Sequence, residues 1–142
     1  MYLILAAHGQ LAAAVKQSAE MVFGQMEHMT AVEFIPGENA DDLKRKYREI
    51  LEKQGENQET LILTDLFGGS PYNAAYETAV GKENMDVITG LCLPMLLDVV
   101  SLRTMEPELK AGDYIKRLDR GAYIRSMKQM TSQMEEEKED EL

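Results

Sequence analysis

His8 and Asp65 are the residues of this chain whose types and settings could do chemistry together. His8 follows the apolar run of residues 3–7 and precedes Gly9. Asp65 follows the apolar run of residues 60–64 and opens Leu66-Phe67-Gly68-Gly69-Ser70-Pro71. An imidazole attacks phosphorus only through a neutral nitrogen, and a carboxylate can decide which nitrogen that is. If Asp65 accepts a hydrogen bond from the Nδ1–H of His8, Nε2 is left free as a nucleophile. The same carboxylate would stabilise the positive character that the ring gains on phosphorylation. Gly68 and Gly69 would let the backbone come close. Ser70-Pro71 reads as an N-cap followed by proline at the first helical position, a helix start whose free N–H groups suit phosphate oxygens. Thr64 and Ser70 could contact phosphate, or could simply cap the backbone. On pattern alone, His8 could equally be a loop residue and Asp65 a turn former.

The elements that must position this pair follow from the alternation of apolar runs with amphipathic stretches. Residues 3–7, 30–35, 60–64 and 87–91 read as strands, and the continuous first run suits a strand buried on both faces. Between them, residues 10–23 place Leu11, Val15, Ala19 and Val22 on one helical face. Asn39 can cap a second helix with the inner stripe Ala40, Leu43, Tyr47, Ile50 and Leu51. A third helix starts at Ser70-Pro71, and a fourth covers residues 94–102, with Met95 beside the crevice as a pocket-lining candidate. Strand and helix alternating four times predicts an α/β domain with a doubly wound, mainly parallel sheet. In such sheets reactive groups gather beyond the C-terminal strand ends, where strand order reverses. An order of 2-1-3-4 would bring the loops of His8 and Asp65 together there, although periodicity does not fix that order. Residues 106–118 can hold a further short helix and residues 121–125 a fifth strand. From Ser126 the chain turns polar, and residues 135–141 contain six acids and one lysine. The reading is one domain over residues 1–126 and an acidic tail, frayed helix or disorder, over residues 127–142.

Composition removes several function classes. The 142 residues are 44% hydrophobic and 28% charged, enough for one core. With 15 Lys and Arg against 25 Asp and Glu, the formal charge is −10, which argues against a nucleic-acid partner. The Lys44, Arg45, Lys46, Arg48 group lies at helical spacing among acids and reads as a solvated face. A single cysteine, Cys92, excludes an internal disulfide and suits a reducing cytoplasm; between leucines it reads as packing. The opening apolar run is too short for a membrane span and lacks the basic flank of a signal peptide. No Cys/His spacing for a metal appears, and no cofactor is expected. His28, in a polar connection, reads as a surface residue.

Four segments together carry a resemblance. They are Ala7-His8-Gly9; Pro36-Gly37-Glu38-Asn39-Ala40; Asp65-Leu66-Phe67-Gly68-Gly69-Ser70-Pro71-Tyr72-Asn73-Ala74-Ala75; and Gly90-Leu91-Cys92-Leu93-Pro94-Met95-Leu96. In order and spacing, from residue 1 to about residue 103, the chain resembles the IIA domain of the mannose family. That family belongs to the bacterial phosphoenolpyruvate-dependent sugar phosphotransferase system. The resemblance implies that His8 is phosphorylated, that Asp65 is its carboxylate partner, and that the sheet order is 2-1-3-4. It implies a phosphorylated histidine carrier protein as donor and a IIB component as acceptor, the latter a separate polypeptide because this chain ends in an acidic tail. The complex would associate with a membrane permease from the cytoplasm. It also implies a homodimer that exchanges a fifth, antiparallel strand, for which residues 121–125 are the candidate.

Other classes fit less well. A signalling receiver phosphorylated on Asp65 would need an acidic pair after strand 1, where this chain has Ala6-Ala7-His8. The phosphoryl donor of a dihydroxyacetone kinase system shares a histidine after strand 1, but the full Gly-Gly-Ser-Pro-Tyr-Asn run favours the sugar system. A flavin- or nucleotide-binding module lacks a dinucleotide fingerprint.

Overall fold

The apolar run at the N-terminus becomes the centre of the sheet. β1 (Tyr2–His8) is buried from Tyr2 to Ala7 and surfaces only at His8. In the computed structural model, which describes residues 1–141, it pairs in parallel with β2 (Met29–Phe34) on one side and β3 (Thr60–Thr64) on the other. β4 (Met85–Thr89) adds in parallel to β3. The order is β2-β1-β3-β4, as the resemblance implied. Central strands need apolar residues on both faces, which is why β1 and β3 carry no alternation.

Period-two side chains divide the core between two helical layers. Leu3, Leu5, Leu61 and Leu63 face α1 (Leu11–Phe23) and α4 (Leu93–Met105). Tyr2, Ile4, Ala6 and Ile62 face α2 (Ala40–Gln54) and α3 (Ser70–Ala79). α2 starts in a capping box: the Asn39 side chain accepts from the Asp42 N–H, and Asp42 accepts from the Asn39 N–H. Its buried residues are Leu43, Tyr47 and Leu51, with Ala40 and Ile50 at the margin of the expected stripe. α1 differs from expectation. Its buried face is Ala12, Val15 and Ala19, while Leu11 and Val22 are exposed, so the helix is turned to set small side chains against the sheet.

After α4, a 3-10 turn (Ala111–Asp113) leads into the short α5 (Tyr114–Arg117), matching the expected short helix. The segment expected to supply a fifth strand is, within one chain, a turn through residue 123 followed by irregular backbone. Tyr123 packs back on its own core, and its hydroxyl donates to Asp98 at 2.9 Å. The tail is helical: α6 (Met127–Asp140) begins at Ser126, whose side chain accepts from the Gln129 N–H, and none of its residues is buried.

Candidate functional site

β1 ends at His8 because Gly9 follows it with φ +61, a conformation that L side chains rarely adopt. The chain therefore turns away at once, while the Gly9 N–H still donates to the Phe34 carbonyl at 2.7 Å. This leaves the His8 side chain about half exposed at the top edge of the sheet. The neighbouring strand β3 ends one residue before Asp65, so the sheet order sets the two side chains side by side.

One oxygen of Asp65 does most of the positioning. Oδ2 accepts the backbone N–H of His8 at 3.0 Å and lies 2.9 Å from its ring Nδ1. An ionised carboxylate only accepts, so Nδ1 carries the proton in this contact, and in a neutral ring the lone pair falls to Nε2. Burial opposes ionisation of Asp65. The hydrogen bonds and charge of His8 outweigh it and hold the carboxyl below the ordinary aspartate range. The Phe34 ring stands edge-on to the imidazole, centroids 5.7 Å apart, and limits its tilt on the β2 side.

The loop after Asp65 is pinned at several points. The Gly69 N–H donates to the Leu66 carbonyl at 3.2 Å, and the Asn73 side chain donates to the Gly68 carbonyl at 3.0 Å. Gly69 is the N-cap of α3, so Ser70 is the first helical residue rather than the cap expected from sequence, and Pro71 follows within the first turn. No side chain caps this helix. Among the described residues the N–H groups of Ser70 and Tyr72 make no backbone hydrogen bond, and Asn73 makes the first, to Gly69. Free donors at such a start attract anions.

The remaining candidates are placed unevenly. Thr64 is fully buried, on the strand face that packs under α2 and α3, and so supports the site from below. Its Oγ1 and Asp65 Oδ1 are the buried side-chain polar atoms without a protein hydrogen-bond partner among the described residues. Met95 is buried beside Gly90 and lines a groove of about 500 Å³ with Phe67, Tyr72 and Thr89. That groove follows the outer edge of β4 and does not include His8. His28 is exposed, and Cys92 stands at the N-cap of α4 against the core. No group of three or more His, Cys, Asp or Glu among the described residues could hold a metal ion.

Two residues acquire a place here that sequence reasoning gave them no part in. Asn73 was part of the resembling segment without a role of its own, and Tyr47 was assigned to the core. Tyr47 is buried, and its hydroxyl donates to the Pro71 carbonyl at 2.9 Å. A buried tyrosine hydroxyl must find a partner, and that was the signal available.

Known proteins share this sequence pattern and topology. Residues 2–113 match the family EIIA-man, described as "PTS system fructose IIA component", and the chain belongs to that family. It is thus a IIA component of the mannose family, a phosphotransferase subunit of sugar transport. It is 42% identical over 100 residues to the fructose-specific EIIA component of Bacillus subtilis (strain 168), covering 70% of this chain and 68% of that one. It is 38% identical over 105 residues to the mannose-specific EIIAB component of Escherichia coli (strain K12), covering 74% of this chain and only 32% of that longer protein. The solved mannose/sorbose-specific IIA subunit from Enterococcus faecalis superimposes with a TM-score of 0.73 at 26% identity, covering 88% of this chain and 93% of that one. No helix among the described residues is long and apolar enough to cross a membrane.

Proposed function

We propose that the chain relays phosphate through Nε2 of His8. The phosphoryl group leaves a ring nitrogen of a phosphorylated histidine carrier protein. One P–N bond breaks as another forms to Nε2, and the Nδ1 proton stays in its hydrogen bond to Asp65. In the second half-reaction the group passes to a IIB component, and through it serves a membrane permease at the cytoplasmic face. The observation that carries this reading is the 2.9 Å contact of Nδ1 with Asp65 Oδ2, which turns the other nitrogen outward as nucleophile. Gly9, Gly68, Gly69 and Ser70 form the surround in which phosphate is received, with Thr64 beneath, while Met95 lines the separate groove along β4. Residues 1–126 are the carrier unit, and the acidic helix after them is an appendage.

The experiment is incubation with phosphoenolpyruvate, enzyme I and the histidine carrier protein, followed by mapping of the phosphate. A single acid-labile, alkali-stable adduct on His8 is the expected result. Label that persists in His8→Ala overturns the reading.

We also propose a homodimer in which residues 121–125 of each copy pair with the β4 edge of the other. β4 has no outer neighbour among the described residues, and uncovered edges invite pairing. The apolar groove along that edge, lined by Ile88, Ile115 and Leu118 and filled within one chain by its own Tyr123, would receive the added strand in its place.

A further inference from the structure

We infer that Gly69 is a positioning residue for the phosphoryl acceptor, a glycine because the His8 imidazole packs directly against its α-carbon. The backbone there has φ −75 and ψ 167, an extended conformation open to every residue, so conformational freedom does not explain a glycine. Space does. A Cβ at position 69 would stand 2.9 Å from Cε1 of His8, closer than real Cβ contacts come, and 3.4 Å from the Leu66 carbonyl oxygen. The adjacent glycine has the opposite cause: Gly68 has φ +80, and nothing lies within 4 Å of where its Cβ would be.

The ring cannot yield to a side chain at position 69 without losing its orientation. Nδ1 is held by Asp65 at 2.9 Å, and the Phe34 ring packs against the imidazole with centroids 5.7 Å apart. A methyl group on residue 69 therefore swings the imidazole out of line with Oδ2, and hydrogen bonds weaken steeply with such misalignment. The same methyl would lie 3.6 Å from Nε2, inside the volume that a phosphoryl group on that nitrogen requires. Gly69 thus sets both the tautomer, through the Asp65 contact, and the room in front of the nucleophile. This role rests on His8 being the phosphoryl acceptor.

Single-turnover transfer from pre-phosphorylated histidine carrier protein tests it, with carrier concentration varied. In Gly69→Ala the limiting rate should fall on the order of 10²-fold, the loss expected of a misplacement of about 1 Å. The half-saturating carrier concentration should stay near wild type. Imidazole nitrogen NMR of the same variant should lose the uniform Nδ1–H signal. If wild type carries no label on His8, the functional reading fails and the role of Gly69 with it. If wild type is labelled and Gly69→Ala matches it in rate and ring spectrum, only the Gly69 inference fails. Should Gly69→Ala not fold, His8→Ala/Gly69→Ala decides. A folded double variant identifies the imidazole as the obstacle, and an unfolded one overturns the inference.

Discussion

The hydroxyl of Tyr47 reaches from the buried face of α2 to the carbonyl of Pro71 and fastens the second helix to the first turn of the third. Pro71 lies two residues beyond Gly69, so this bond holds from beneath the loop that borders His8. Burial, and secondarily the charge of Asp65, push the Tyr47 phenol well above its ordinary range, and it stays a donor throughout the working pH range. Tyr47→Phe should lower unfolding stability by about 0.5–1.5 kcal/mol, the net worth of a typical hydrogen bond. Chemical denaturation measures this; an unchanged midpoint and slope would show that the bond contributes nothing.

Asp65→Asn should fold and transfer phosphate more slowly, on the order of 10²–10⁴-fold. An amide can present its NH₂ to Nδ1, which favours the wrong tautomer, and it cannot stabilise positive charge on the ring. Transfer from pre-phosphorylated carrier at the wild-type rate would leave the carboxylate with a structural role only.

The depressed pKa of Asp65 also makes a statement about pH. Its folded value lies below the unfolded one, so in the window between them the unfolded chain binds more protons and stability rises with pH. The contribution is complete above the ordinary aspartate value of about 4 and is lost as pH falls through the folded value. Denaturation of wild type and Asp65→Asn across acid pH should show the two converging below about pH 4. A constant difference down to the acid transition contradicts the assignment.

Truncation after Asp119 addresses association. It removes residues 121–125 and the whole of α6, so strand exchange predicts a shift from dimer toward monomer in sedimentation. A dimer that survives the truncation rejects exchange and leaves the chemistry of His8 untouched.

Much of the fold was legible because β1 and β3 are uninterrupted apolar runs and α2 carries a clear stripe. Strand order was not, since Leu3 and Leu61 look alike whichever neighbours they have; the resemblance supplied it. β4 was expected at residues 87–91 and lies at Met85–Thr89, because Leu91 is buried from a loop and its apolarity imitates a strand residue. The turned face of α1 was hidden in the same way: Leu11 outranks Ala12 in hydrophobicity, yet close packing on the sheet favours the smaller residue. Of the site, His8, Asp65 and the glycines could be read from their places at strand ends. For Tyr47 the only signal was that a buried tyrosine hydroxyl needs a partner; which backbone oxygen it or Asn73 would meet could not be read, since backbone atoms carry no sequence signal.

The central position of β1 has a consequence for how the protein is made. Its two edges are filled at different distances along the chain, Leu3 pairing with Met29 on one side and with the more distant Leu61 on the other. A nascent chain released only as far as α2 can close one edge and holds no carboxylate for its histidine. Until β3 has crossed over and docked, His8 is an ordinary solvated imidazole. Such long-range parallel pairing is the slow kind of folding step. The His8 ring is thus oriented only late in synthesis, once the topology is closed.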